Sequence, residues 1–457
     1  MLGNRSFMTI YLQVTLKKSD MKRILKAWNV ACQWWAKVMN VQKDGVGKKD
    51  GRPMGPKESR SGGEQRKGEG GRKSARLVRE LEEYLVAHYE FRYNVLTEMT
   101  EFRPWENGER RFRPATRREL NGICMDMRAA GIDCWDKDLL RYVESTRVEN
   151  YHPFTLYLDE LPVWDGCDRL DGLARRVSSE ALWVKCFHRW MLALTAQWSG
   201  RTGAHANSVA PLLISREQGM LKSTFCKALM PKVLSDYYMD SFELTSQGQM
   251  EQKMAEMGLI SLDEFDRFPA SKMPVLKNVM QMATLNLRKA HQKNYRVLPR
   301  IASFIGTSNR KDLMTDPTGS RRFVCVEVEK KIDYEGIEHS QIFAQLKSEL
   351  AAGAPYWFSE KEEHEIQEHN SAYYRRSAAE EVFYSVFRGA KKGEECCQLS
   401  LAEIFKRLKK QNPAAMRDAN MVQLGQALTA AGVERKHTKY GNRYSIVMLG
   451  SVNGGEY

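Results

Sequence analysis

The residues best placed to do chemistry lie in the middle of a 457-residue chain. After the apolar run Ala210-Pro-Leu-Leu-Ile-Ser215 the sequence reads Arg216-Glu217-Gln218-Gly219-Met220-Leu221-Lys222-Ser223-Thr224. A phosphate-binding loop needs a strand, a turn whose N–H groups surround the phosphates, and a Lys then a Ser or Thr opening a helix. The Lys reaches the β and γ phosphates of ATP, the hydroxyl binds Mg²⁺, and the helix start adds its dipole. Strand, Lys222, Ser223 and helix are present, with Thr224 alongside. The pattern G-x-x-x-x-G-K-[ST] asks for Gly at 216 and 221, where this chain has Arg216 and Leu221 and keeps only Gly219. Gln218, Gly219, Lys222, Ser223 and Thr224 therefore form a candidate nucleotide loop. An ordinary capped helix is the competing reading.

Three further motifs follow in order. Gly258-Leu-Ile-Ser-Leu-Asp263-Glu264-Phe-Asp266 is an apolar strand ending in carboxylates. There one carboxylate can orient Mg²⁺ through its waters and the other can polarise an attacking water. Phe304-Ile-Gly-Thr307-Ser308-Asn309 ends a strand in polar groups, and its amide can hold that water near the γ-phosphate. Asp316-Pro-Thr-Gly319-Ser320-Arg321-Arg322-Phe323 puts adjacent arginines on a turn, where either can reach a neighbouring subunit's ATP as an arginine finger. Each motif alone has a plain alternative: exposed acids, a polar strand end, a surface ion pair. Their order and spacing carry the case for ATP. Between the Asp263-Glu264 motif and the Phe304–Asn309 strand lies Thr284–Arg300, with Arg288, Lys289, Lys293, Arg296, Arg300 and no acid. This predicts a basic hairpin able to track a phosphate backbone without reading sequence.

The elements that must hold these residues alternate between strand and helix. APLLIS, GLISL, RIASFIGTS and FVCVEV are buried-strand candidates separated by helical patterns, which predicts an α/β fold with a mostly parallel sheet. We expect four regions: a basic, partly disordered arm over 1–79, a mainly helical domain over 80–200, the ATPase core over 201–370, and a last domain over 375–450. Within the arm, 21–41 has helical spacing and 42–75 reads as a flexible linker poor in large apolar residues. Tyr89–Trp105 reads as a strand pair and 117–132 as an amphipathic helix. In the last domain a helix, a short strand, two helices and two strands about Tyr440-Gly441-Asn442 follow the order of a winged helix. It can bind duplex DNA through the helix at 420–432 and Lys436, Lys439 and Arg443, or dock a protein.

Composition sets bounds. The chain has 71 Lys and Arg against 57 Asp and Glu, a net charge of +14. Residues 1–79 hold 19 of the basic and 6 of the acidic residues, so nearly all the excess sits in the arm and the body is close to neutral. Bulk charge therefore says little about DNA binding by the body. No apolar run is long enough for a membrane helix, and no signal peptide is read, so a cytoplasmic location is expected. Nine cysteines without a CxxC pair suggest neither a disulfide framework nor a zinc site.

With these motifs in hand, the chain resembles the virulence-associated protein E family, whose ATPase domain is similar to superfamily 3 helicases of phages and mobile elements. The resemblance covers roughly 85–370 and rests on NYHPFTLYLDELPVWDGCDRL, QGMLKSTF, SLDEFD, FIGTSN and DPTGSRRF. It implies a P-loop NTPase core of AAA+ type, with a helical lead-in and a C-terminal winged-helix-like domain. It implies a homo-oligomer, a hexamer, coupling ATP hydrolysis to movement on single-stranded or forked DNA during replication of a mobile element. By resemblance, Lys222 and Ser223 form the phosphate and Mg²⁺ pair, Asp263 and Glu264 the metal-orienting and water-activating carboxylates, Asn309 the sensor, and Arg321 or Arg322 the finger. Residues 1–79 do not look like the primase of some relatives, so the chain either works with a separate primase or is a shortened relative. The altered loop motivates an alternative: a non-hydrolysing, AAA+-shaped DNA-binding or replication-initiation module.

Overall fold

A computed structural model describes residues 64–105, 111–200, 205–242, 247–287, 296–314, 320–439 and 441–449. The expectations for 1–63, for Arg288, Lys289, Lys293 and the hairpin tip, and for Asp316–Gly319 lie outside the described residues. Two compact units divide the chain, with the boundary between His152 and Pro153.

The first unit is built on helix α1 (Glu64–His88), strands β1 (Tyr89–Asn94), β2 (Met99–Pro104) and β3 (Arg113–Pro114), helices α2 (Arg117–Ala129) and α3 (Asp136–Val143), and strand β4 (Glu149–Tyr151). The sheet order is β3-β2-β1-β4, with β1 antiparallel to β2 and parallel to β4. α2 buries Leu120, Ile123, Cys124 and Met127, the i, i+3, i+4, i+7 stripe that lets one helix face join a core. The Thr116 hydroxyl accepts the Glu119 N–H at its start, and Gly131 follows its end at φ +85°.

Two expectations change here. The sequence predicts a linker up to residue 75, but a helix begins at Glu64. Leu81 and Leu85 anchor the later turns of α1 in the core, and extending an existing helix is far cheaper than nucleating one. The predicted helical domain over 80–200 is also replaced. This unit carries a four-stranded sheet and ends at His152.

The second unit opens with α4 (Pro153–Asp159), α5 (Leu170–Ala174) and α6 (Ala181–Trp198). Then come β5 (Ala210–Ile214), α7 (Lys222–Ala228), β6 (Tyr238–Met239), α8 (Gln247–Glu256), β7 (Leu259–Leu262), α9 (Met273–Val279), β8 (Thr284–Leu287), β9 (Arg296–Pro299), β10 (Ser303–Ser308), β11 (Phe323–Glu327), α10 (His339–Ala351) and α11 (Glu360–Asn370). The five-stranded sheet runs β11-β5-β10-β7-β6, and every pair in it is parallel. All four residues of β7 and all six of β10 are buried, as expected of strands covered on both faces. β8 and β9 form a separate antiparallel pair, the expected hairpin stem.

Residues 153–200 belong to this unit because α6 is bonded into it. The Trp198 indole N–H donates to the Gly258 carbonyl at 3.1 Å, and the Gln197 amide donates to the Ala302 carbonyl at 2.8 Å. Phe154 of α4 lies fully buried against Trp198 and Tyr237, with ring centroids 4.8 and 5.3 Å away. The HPFTLYL segment thus has a packing role in the core.

The chain closes with α12 (Ala378–Val386), β12 (Phe387–Gly389), β13 (Cys397–Ser400), α13 (Leu401–Gln411), α14 (Met421–Ala430), β14 (Arg435–Thr438) and β15 (Gly441–Met448). β15 pairs antiparallel with β12, β13 and β14. Ser377 and Ser400 start α12 and α13 with reciprocal bonds to Glu380 and Glu403. Phe383, Ile404, Leu408, Leu428 and Ile446 form this part's own core. Among the described residues no helix is long and apolar enough to cross a membrane.

Gly258 sits where a Cβ would fall 2.4 Å from Phe154 Cζ. Gly258→Ala should therefore cost about 1–3 kcal/mol by overpacking, read as a lower urea midpoint at unchanged slope.

Candidate functional site

Because the sheet is parallel, β5, β7 and β10 all end at one edge. β10 lies between the other two, with Ser308 opposite Ile214 and Gly306 opposite Leu262. The next strand in sequence after β5 lies at the far end of the sheet, so the strand order switches beside β5. Crevices at the carboxyl ends of strands beside such a switch are where open α/β sheets bind ligands.

The loop after β5 delivers Lys222 to this crevice. Its ammonium is buried and donates to the Ser215 carbonyl at 3.3 Å and to Asn309 Oδ1 at 3.0 Å. Both acceptors are neutral. Burial pushes the ammonium below the ordinary lysine range, partly opposed by the carboxylates of Asp263 and Asp266. Ser223, exposed at the mouth, donates its hydroxyl to Asp263 Oδ1 at 2.8 Å. The same carboxylate oxygen accepts the Thr307 hydroxyl. Thr224, Gln218 and Gly219 line the open side of the loop, all exposed.

The backbone here is held in unusual conformations. Gly219 lies at φ +78°, which glycine accepts freely. Leu221, at the Gly position of the phosphate-loop pattern, lies at φ 61°, ψ 27°. The leucine is thus held in the left-handed conformation that glycine would adopt. Its Cβ does not divert the backbone to another path. Glu264 lies at φ 50°, ψ 46° directly after the β7 loop begins. Only three non-glycine residues have positive φ among those described, and two of them, Leu221 and Glu264, frame this crevice. Such strain clusters where surrounding packing imposes a functional geometry.

Asp266 and Thr307 complete the network, although the sequence reading gave neither a role. Asp266 Oδ1 accepts the Ser308 hydroxyl at 3.1 Å and the Asn309 N–H at 3.3 Å, which fixes where Asn309 begins. The Thr307 hydroxyl oxygen also accepts the Glu264 N–H at 3.4 Å. The available signal was the spacing of the third acid in SLDEFD and the threonine before Ser308. The Glu264 carboxylate is exposed and receives the Arg267 guanidinium at 2.5 Å. Among the described residues no group of three or more His, Cys, Asp or Glu is placed to hold a metal ion. A Ser hydroxyl beside one carboxylate suits Mg²⁺, which keeps most of its ligands as water or phosphate oxygen.

Other predicted residues lie elsewhere. Arg321 and Arg322 precede β11 and so stand at the amino edge of the sheet, opposite Lys222; Arg321 pairs with Glu363 at 3.1 Å. Arg296 is exposed on β9. Arg300 is a correction: expected to face DNA, it is fully buried. Its guanidinium donates to Gln197 Oε1 and to the Asn207 carbonyl, both at 2.9 Å. Burial lowers it from the usual arginine range to about 9. In the last domain, Arg443 is engaged by the Gln398 carbonyl at 3.1 Å and Glu403 at 3.3 Å. Lys436 stays largely exposed beside Glu434.

Residues 158–375 match the virulence-associated protein E-like domain. Residues 376–446 match a domain of unknown function from B. Theta, DUF3874. Among solved structures, the chain is similar to the apo structure of the NrS-1 C terminal region (305-718), at 12% identity and TM-score 0.39, over 82% of this chain and 99% of that one. The A form apo structure of the same region gives 13% identity and TM-score 0.40, with the same coverage. No curated protein matches the sequence.

Leu221→Gly should shift stability by less than about 1 kcal/mol, because relief of left-handed strain is offset by a looser unfolded chain. Leu221→Val should cost about 1–2 kcal/mol, since a β-branched residue tolerates this φ poorly; urea denaturation reads both. Arg300→Ala should cost about 3 kcal/mol or more through its broken buried network. The same urea denaturation would show it as a lowered midpoint.

Proposed function

Residues 158–375 belong to the virulence-associated protein E-like family, and on that premise we propose that this protein is an ATP-dependent DNA translocase of the helicase type, acting in replication of a phage or mobile element. The observation that carries the reading is the convergence of Lys222, Ser223, Asp263 and Asn309 in one hydrogen-bonded network at the strand-order switch. In this reading the core is a P-loop NTPase of AAA+ type, and Gln218, Gly219 and Thr224 complete the loop around the phosphates.

The residues fit ATP and Mg²⁺. Lys222 is a buried cation with neutral partners, the charge a phosphate oxygen would neutralise. Ser223 and Asp263 are already 2.8 Å apart, as a hydroxyl ligand and a carboxylate that orients metal-bound water should be. Bound Mg²⁺ would offset the charge that builds on the transferred phosphoryl group. Asn309, held by Asp266, presents its amide beside Lys222 and would orient the attacking water. Glu264 would take the proton once Arg267 turns aside, and both side chains are exposed enough to do so. Arg321 and Arg322, at the opposite edge, cannot serve the same subunit's site. They fit a finger offered to a neighbour, which calls for a homo-oligomeric ring, in our reading a hexamer.

DNA contact is assigned to the β8–β9 hairpin, with Arg288, Lys289, Lys293 and Arg296 as its cations. Single-stranded or forked DNA is the proposed track, with a separate primase as partner. The last domain reads as a winged helix. The exposed residues of α14 include Met421 and Val422 and no Lys or Arg, which favours protein docking over phosphate contact.

One observation favours a second reading, a non-hydrolysing DNA-binding or initiation module: the Glu264 carboxylate is occupied by Arg267. ATP turnover by the full chain with and without single-stranded DNA separates the two. The motor reading expects DNA-stimulated hydrolysis that falls at least 100-fold (about 2.7 kcal/mol) in Lys222→Ala and in Glu264→Gln. DNA binding indifferent to ATP and to Lys222, with no turnover, would establish the second reading instead.

A further inference from the structure

The amino edge of the sheet holds a cavity of about 200 Å³ lined in part by His205, Ser208, Gln281, Tyr356, Trp357 and Glu363. Trp357 is 42% exposed and its ring lies parallel to that of His205, with centroids 4.5 Å apart and planes 12° from each other. Tyr356 meets Trp357 edge-on at 5.3 Å. An exposed indole stacked on an imidazole covers no core. Its cost to solvation asks for an occupant with a flat face.

The hairpin stem begins beside this cavity. Gln281 precedes β8 by three residues, and the Arg300 N–H, just after β9, donates to the Ala283 carbonyl at 3.0 Å. The buried Arg300 guanidinium then donates to the carbonyl of Asn207, another residue of the cavity wall. Cavity and hairpin stem are therefore one bonded structure. A strand whose phosphates meet the hairpin stem, where Arg296 is exposed, would pass its bases beside this place. The wall offers base edges both kinds of partner, since the Gln281 amide donates or accepts and the Glu363 carboxylate accepts. The space suits a single planar heterocycle.

We propose that this cavity captures one unstacked base of single-stranded DNA against the Trp357–Tyr356 aromatic pair, and that Glu363 reports its presence to Arg321. Glu363 lines the cavity and is also the ion-pair partner of Arg321 at 3.1 Å. A base whose N–H groups claim the carboxylate loosens its hold on the arginine. The guanidinium is then free to turn toward an adjoining subunit. The inference rests on the proposed action on single-stranded DNA and adds the residues that meet a base.

The test uses the full chain and fluorescein-labelled oligo-dT, with anisotropy at several salt concentrations and ATP turnover without DNA. Trp357→Ala should weaken oligo-dT binding roughly 10- to 100-fold, as loss of one stacked base does. The slope of affinity against salt should stay unchanged, because no phosphate contact is lost. Trp357→Phe, which keeps a ring, should bind within about 3-fold of wild type on the same stacking argument. DNA-free turnover should be the same in both variants, while Glu363→Gln should raise it. Trp357→Ala binding like wild type, or a loss equal in Trp357→Phe, overturns the base site. No rise in Glu363→Gln overturns the report to Arg321. Wild-type protein that binds oligo-dT through Trp357 but turns over no ATP would sink the motor reading and leave the base site standing.

Discussion

The parallel seating of β10 between β5 and β7 is the constraint from which the site follows. It requires close approach: a Cβ at Gly306 would come 2.6 Å from Leu212 Cδ2 and 3.0 Å from the Leu262 carbonyl. Only with glycine there can β10 lie tight between its neighbours and end level with both. Strand alternation then sends Thr307 and Ser308 to opposite faces. Both still find carboxylates from one loop, Thr307 reaching Asp263 and Ser308 reaching Asp266. The strand end thereby sets the carboxylates, and one of them, Asp266, fixes the backbone N–H of Asn309. Lys222 closes the circuit from the other neighbouring strand.

Two bends hold the crevice open, and the chain makes them with unfavourable residues. Leucine and glutamate in the left-handed region each cost on the order of 1–3 kcal/mol. The conformations persist because their flanks cannot move. Lys222, directly after Leu221, is buried, as are Phe225 and Cys226 one turn further along α7 and Leu262 and Phe265 on either side of the Asp263-Glu264 pair. A glycine at 221 would give the same path with less strain. Leu221 therefore need not widen the loop. The departure from the phosphate-loop pattern changes the stability of the bend more than its shape.

The parts of the fold legible in the sequence are those whose signal is local. The runs LLI, LISL, FIGTS and FVCVE are apolar enough to be strands buried on both faces, and each is one. The helices α13 and α14 also lie where their segments predict them, and in the structure Ser400 and Asn420 cap their starts. What was misread depends on distant partners. Counting charge put Arg300 on a DNA surface, but Gln197, 103 residues earlier, makes it a core residue. Composition put 64–75 in a linker because the leucines that anchor α1 come after that window. The boundary near 200 missed that Trp198 is tied to Gly258, 60 residues on. β12 and β4 have three residues each, too short to leave a periodic signal.

The site and the features at the opposite edge are joined by β10 itself. The strand leaves the buried Arg300 region, where Ser303 Oγ accepts the Asn207 amide at 2.9 Å, and ends at Asn309. Six residues of strand span about 20 Å and do not stretch. Its sides are pinned to β5 and β7, and all six residues are buried. A load on the hairpin stem can therefore reach Asn309 only as a rigid shift of β10 against its neighbours. Such a shift would be felt first where the contacts are polar and directional, at Thr307–Asp263 and Asn309–Lys222. In an ATPase of the proposed kind, force on DNA and geometry at the γ-phosphate would then be linked through one short strand, and the arginines before β11 would act on a different subunit's crevice.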